Sequence, residues 1–192
     1  MNHGVPEDCG CAPCEHERLG HHGLLARFPA NSSRRLRVLI IGHGRHGKDT
    51  AAEFLAQATG YKFASSSEFA AQKAVFPLVS DLYPDWRAAY DDRINHRELW
   101  YHAIRAYNLR PGPMLAEQLL VDHDVYVGMR SRAEFERSRD LFDLVIWVDR
   151  SEVLPPEPGN SMELTAEDAD WFLDNNRDLE HLEAQVLEYV LG

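Results

Sequence analysis

The sequence predicts an α/β fold in which one parallel sheet is flanked by helices, preceded by a disordered N-terminal tail. Three observations predict it. Short apolar runs recur at 36–41, 61–64, 124–129 and 141–148, and the first is β-branched in the manner of a strand buried on both faces. Segments with helical apolar spacing separate the runs, so strand and helix alternate, as a parallel sheet requires. The first run passes directly into a glycine-rich turn from which a helix departs.

Residues 1–35 mix Cys, His, Gly, Glu and Arg without hydrophobic periodicity, and Asn31-Ser32-Ser33-Arg34-Arg35 reads as a linker, leaving 36–192 as one domain. After the first strand, Ala51, Phe54, Leu55 and Ala58 recur at helical spacing from Lys48 onward, and Gly60 is placed to end that helix. A strand over 61–64 follows, and then Ser65 and Glu68 form an S-x-x-E capping signature opening a helix toward Val79. Residues 85–108 read as helical until Arg110-Pro111-Gly112-Pro113 breaks them. The runs DVYVGM and LFDLVIWV are strands joined by the helical SRAEFERSR. LPPEPGNSM, from Leu154 to Met162, is a Pro/Gly-rich loop long enough to act as a flap, and a last helix spans 179–191.

A length of 192 residues suits one domain plus a tail. The net charge of -11 argues against a broad surface that coats nucleic acid, which needs clustered Lys and Arg. No apolar stretch approaches the roughly 18–20 residues of a membrane helix, and the N-terminus lacks the apolar core of a secretory signal, so a soluble, cytoplasmic protein is expected. Cys9, Cys11 and Cys14 all lie in the tail and cannot staple the body of the chain. With His16 they offer the ligand types of a zinc site, but the crowded C-x-C spacing is not that of a standard finger and favours a tail without metal.

Only three lysines, Lys48, Lys62 and Lys73, stand against seventeen arginines, and Lys48 lies inside the glycine-rich turn. The turn reads Gly42-His43-Gly44-Arg45-His46-Gly47-Lys48-Asp49-Thr50, a Gly-x4-Gly-Lys loop between strand and helix. Glycines there allow positive φ and turn backbone N–H groups inward around a phosphate, and the helix N-terminus adds partial positive charge. The pattern points to a P-loop holding ATP, with Lys48 reaching the β- and γ-phosphates. Position 49 is Asp where the strict motif has Ser or Thr, and Thr50 follows it. Asp49 can hold Mg2+ or accept the proton of an attacking hydroxyl, and Thr50 can bind Mg2+ or the α-phosphate. His43 and His46 are expected to expose their side chains and to take no part in catalysis.

On the acceptor side, Arg93, His96 and Arg97 fall at i, i+3 and i+4, so one helix would present all three on a single face, either to grip substrate or as a solvated surface paired with Asp92 and Glu98. Arg130 and Arg132 follow a strand end, where open α/β sheets bind ligands. Ser65, Ser66 and Ser67 close the second strand and can hydrogen-bond a substrate, with Ser65 also explained as a cap. Arg150 ends the last buried run, where it can stack on adenine or enter a surface ion pair.

Gly47-Lys48-Asp49-Thr50 resembles the loop end of the phage-type deoxynucleoside monophosphate kinase-like P-loop proteins. The segments YKFASSSEFAAQK, DDRINHREL, DVYVGMRSRAEFE, LFDLVIWVDR and DADWFLDNNRDLEHLEAQV follow the order of segments in that family over residues 37–190. The branch most similar in look is the 5-hydroxymethyluracil DNA kinases of bacteriophages with hypermodified thymine. Two positions depart from the mononucleotide kinases of the group: Ser65-Ser66-Ser67 replaces an aspartate after the second strand, and Gly128-Met129-Arg130 replaces Asp-Val-Arg. The resemblance implies a P-loop kinase fold, ATP and Mg2+ as cofactors, and a hydroxymethyl group of 5-hydroxymethyluracil in viral DNA as phosphate acceptor. It places Lys48, Asp49 and Arg130 at the chemistry, makes other DNA-modification enzymes candidate partners, and implies host cytoplasm as the location. A kinase of free deoxynucleoside monophosphates is the first alternative, and a non-catalytic ATP-binding adaptor the second.

Overall fold

The computed structural model describes residues 34–157 and 162–191. The zinc reading of Cys9, Cys11, Cys14 and His16 therefore lies outside the described residues. Five strands, β1 (Val38–Ile41), β2 (Phe63–Ser65), β3 (Val125–Val127), β4 (Leu144–Asp149) and β5 (Trp171–Asp174), pair in parallel in the order β2-β3-β1-β4-β5. The helices are α1 (Lys48–Thr59), α2 (Ser66–Ala70), α3 (Phe76–Val79), α4 (Trp86–Asp91), α5 (Arg97–Leu109), α6 (Leu115–Leu119), α7 (Arg132–Ser138) and α8 (Leu179–Leu191). No described helix is long and apolar enough to cross a membrane.

Strand alternation explains why β1 reads as one apolar run. Val38 and Ile40 pack with Ala51 and Leu55 of α1 and Leu182 and Val186 of α8, while Leu39 and Ile41 pack on the other face with Ala116, Leu119 and Phe135. Both faces need apolar residues, so no polar position interrupts the strand. A third cluster, Ala71, Val75, Val79, Ala89, Trp100 and Ala103, gives the helices between β2 and β3 a core of their own. Gly60 ends α1 in the left-handed region at φ 70, its N–H donating to the Ala56 carbonyl at 2.8 Å.

Several local expectations are corrected. The helix over 85–108 is broken: Asp92–Asn95 tightens to a 3-10 turn and His96, at φ -128, is non-helical before α5 begins. Arg93, His96 and Arg97 consequently do not share one helix face. The helical run from Ser66 to Val79 widens to π geometry over Ala71–Val75, just before Pro77, which has no N–H to donate one turn back. Ser65 belongs to β2 and makes no side-chain cap bond, its hydroxyl pairing instead with that of Ser67 at 2.9 Å. β5 and α6 carried no clear signal in the sequence. The chain enters the sheet clamped by the ion pairs Arg34–Asp143 at 2.5 Å and Arg35–Asp124 at 2.9 Å.

Candidate active site

The site lies beyond the C-terminal end of β1, which stands between β3 and β4 at the point where the strand order reverses, the place where open α/β sheets bind ligands. The loop from Gly42 to Gly47 occupies it. Gly42 has φ 143, and a Cβ there would stand 2.4 Å from the Val148 carbonyl oxygen, so the turn can pass β4 only without a side chain. Gly47 has φ 92 and lies against Asn175, whose Nδ2 donates to the His46 carbonyl at 2.8 Å. Arg45 also takes the left-handed region, at φ 63. At the N-terminus of α1 the Gly44 N–H donates to a carboxylate oxygen of Glu157 at 2.6 Å, the kind of contact by which such a loop binds anions.

His46 contradicts the expectation of exposed loop histidines: it is 0% exposed. The Arg150 N–H donates to its Nδ1 at 2.9 Å, which puts the ring proton on Nε2, and Nε2 donates to the Leu154 carbonyl at 3.1 Å. Burial lowers its pKa, with His43 adding to the effect and Asp149 opposing it, so a neutral ring ties the glycine-rich loop to the segment after β4. His43 is half-buried, edge-on to Trp147 at 5.4 Å, and its Nδ1 accepts the Glu157 N–H at 3.2 Å.

Lys48 opens α1 and is only 9% exposed. Its ammonium donates to the His43 carbonyl at 2.6 Å. Desolvation pulls its pKa down to about 8, the nearby Arg130 pushes the same way, and Asp49 and Glu157 oppose them. A buried ammonium with so little compensating charge is poised to gain from an arriving anion. Asp49 is exposed in the first turn of α1, and neither its carboxylate nor the half-buried Thr50 hydroxyl makes a hydrogen bond among the described residues.

Arg130 pairs with Glu157, a residue of the 154–162 loop, at 2.8 Å, and Glu157 also accepts the Gly44 N–H at 2.6 Å. Arg132 bonds both Asp168 oxygens and the Glu163 carbonyl, so it fastens the segment before β5 to the start of α7. Arg150 is half-buried, with its Nε buried and unpaired among the described residues.

The acceptor-side candidates form a chain of contacts. Ser65 bonds Ser67, the Ser67 hydroxyl lies 3.3 Å from that of Tyr90, and Arg93 stacks on the Tyr90 ring at 3.8 Å while donating to its carbonyl at 2.9 Å. Ser66 donates to the Gly128 carbonyl at 3.1 Å. Gly128, at φ 101, is where the two halves meet: a Cβ there would lie 3.1 Å from Ser66 Oγ and 4.0 Å from Lys48 Cε. His96 is spent on Asp92 at 3.0 Å, and Arg97 is exposed without an ion pair among the described residues.

Sequence reasoning missed Glu157, Asn175 and Asn176. Asn175 is 3% exposed and also donates its backbone N–H to the Asp149 carbonyl at 2.7 Å, and Asn176 Nδ2 reaches Asp149 at 3.2 Å. The only signal was the paired Asn directly after WFLD, a polar pair at a strand end.

The set fits the phosphates of a nucleotide: three glycines that a Cβ would obstruct, an N–H already holding a carboxylate, and a lysine short of anions. No group of three or more acidic, His or Cys side chains able to hold a metal exists among the described residues. Magnesium would depend on Thr50, on Asp49 through a water, and on the phosphates themselves, since Mg2+ keeps several waters.

No family model matches the chain, and no curated protein matches it. Among solved structures, it is similar to a sugar kinase from Janibacter sp. HTCC2649, at TM-score 0.45 and 16% identity over 81% of this chain and 94% of that one. It is similar to the gluconokinase of Sinorhizobium meliloti 1021, at TM-score 0.43 and 16% identity over 85% and 92%. It is also similar to the shikimate kinase of Aquifex aeolicus, at TM-score 0.42 and 12% identity over 80% and 95% of the two chains.

Proposed function

We propose that the protein transfers the γ-phosphate of ATP to an alcohol, and that this alcohol is the hydroxymethyl group of 5-hydroxymethyluracil in DNA. The observation that carries the phosphotransfer is the position of Gly128. A Cβ there would lie within 4.0 Å of both the Lys48 side chain and the Ser66 hydroxyl, so that a phosphate held by Lys48 adjoins a hydroxyl-lined surface. Lys48 and Arg130 meet the charge that develops on the transferred group, and bound Mg2+ would neutralise more of it. The attacking oxygen forms its bond to phosphorus as the bridging bond to ADP breaks, and its proton passes to the Asp49 carboxylate.

The choice of acceptor rests on chemistry and on the motif resemblance. Hydroxyls of Ser65, Ser66, Ser67 and Tyr90 suit a neutral alcohol, whereas a mononucleotide brings two charges that need closely placed cations. A base in DNA must leave its stack to enter such a pocket, and Arg93 and Arg97 then hold flanking phosphates. With the net charge at -11, that grip is local and sensitive to salt.

A paired assay tests the reading, offering hydroxymethyluracil-containing DNA and hydroxymethyl-dUMP at matched acceptor concentration over a salt series. Phosphorylation of the DNA should be faster and should fall steeply with salt, while any activity on the free nucleotide falls far less. Faster reaction of the free nucleotide would make the protein a mononucleotide kinase, and ATP binding without transfer to either would make it an adaptor. Within the same reading, Asp49→Asn should lower turnover roughly 10²- to 10⁴-fold with a much smaller change in ATP affinity. Unchanged turnover across the pH range would remove Asp49 from proton transfer.

A further inference from the structure

The segment after β4 brings a carboxylate to the mouth of the phosphate loop. Glu157 Oε2 accepts the Gly44 N–H at 2.6 Å, and both carboxylate oxygens accept from Arg130 Nη1, at 2.8 and 3.0 Å. The Glu157 N–H, donating to His43 Nδ1 at 3.2 Å, fixes the backbone that delivers them. A Cβ on Gly44 would stand 3.0 Å from the carboxylate, which shows how closely the end of the Glu157 side chain lies against the loop backbone. A loop N–H, a guanidinium and the field of Lys48 converge here on two anionic oxygens. These are the partners a phosphate would take.

We propose that Glu157 is a built-in competitor for the nucleotide's phosphates, holding the Gly44 N–H and Arg130 in the unliganded protein and surrendering both when a polyphosphate binds. The proposal rests on the nucleotide-binding reading above. Its consequence is thermodynamic: apparent affinity equals intrinsic affinity scaled by the fraction of molecules in which Glu157 has withdrawn. The Arg130 and Glu157 side chains are 46% and 25% exposed, so solvent weakens their pair enough for it to exchange. Arg130 then reaches the phosphates only after they have displaced Glu157, which links delivery of that charge to nucleotide entry.

Calorimetric titration of wild type, Glu157→Gln and Glu157→Ala with ATP, and separately with inorganic tripolyphosphate, tests this. Both variants should bind both ligands roughly tenfold tighter than wild type, with equal gains because the competition lies at the phosphates. Adenosine should show no gain. Combining Glu157→Ala with Lys48→Ala should abolish tripolyphosphate binding, which ties the gain to the loop. If wild type binds ATP and neither variant binds tighter, Glu157 is not a competitor although the nucleotide reading stands. If no form binds ATP or tripolyphosphate, the nucleotide reading fails and the competitor with it. Glu157→Gln keeps the shape of the side chain, so it still decides the matter should the alanine variant fold poorly.

Discussion

Lys48→Ala is expected to lower phosphate transfer by about 10²- to 10³-fold or more without unfolding the protein, because the lysine's contribution is electrostatic. The same burial that makes it effective makes it costly when no anion is present. Its pKa lies at about 8 against an ordinary 10.5, and a lysine lowered on folding destabilises the fold while it is charged. That penalty, on the order of a few kcal/mol, is complete below pH 8 and fades as pH rises toward 10.5. The thermal midpoint of Lys48→Met, which fills the same space without charge, should therefore exceed that of wild type at pH 7, with the gap closing above pH 8. Bound phosphates raise the lysine's pKa again, so ATP affinity in wild type should decline as pH climbs past 8 and stay flat in the Met variant. Near-wild-type turnover in Lys48→Ala would remove the loop from the chemistry, and a lower midpoint for Lys48→Met would show that the buried charge is not a cost.

Gly42→Ala is expected to have the largest effect on stability. At φ 143 a side chain is strained whatever the space, and its Cβ would fall 2.4 Å from the Val148 carbonyl oxygen. That oxygen cannot retreat, because β4 is held in register against β1, with Ile41 opposite Trp147, and against β5, with Val148 opposite Leu173. Strain and clash together should cost about 3 kcal/mol or more, lower the melting temperature by roughly 6–12 °C, and abolish ATP binding. Gly60→Ala is the internal control. Its φ of 70 is also left-handed, but nothing lies within 4 Å of the added Cβ, so only about 1–2 kcal/mol of backbone strain remains. Similar losses in the two variants, measured by calorimetry, would refute the role assigned to the β4 contact.

Elements whose own residues carry the signal were legible before folding. The strand before the loop is apolar at every position because both faces are covered, and α1 runs from Lys48 to just before Gly60 because apolar spacing and a left-handed stop coincide. α8 was readable over its whole length for the first of these reasons. β5 was not, since Trp171-Phe172-Leu173-Asp174 is short and an edge strand that exposes Phe172 lacks the uniform apolarity of β1. The break at His96 escaped for a different reason. Asp92 accepts bonds from Tyr83, Asn95 and His96 together, and that side-chain network, drawing on a residue nine positions upstream, stabilises a turn that helix periodicity cannot foresee.

The glycine-rich loop, the alternation of strand and helix around it, and the place of Lys48 at the loop's end were readable from local pattern, because each depends on neighbours within a few positions of the chain. The partners of that loop were decided only by tertiary structure. Asn175 under Gly47, the buried His46 tied to Arg150 and Leu154, and Glu157 at the Gly44 N–H all bridge more than a hundred residues. Contacts at that separation follow from the strand order, which sets β4 and β5 beside β1 and carries the chain after β4 back over the loop. Local spacing holds no record of that placement, since any polar side chain in the 154–162 loop looks equally solvated until the sheet has formed.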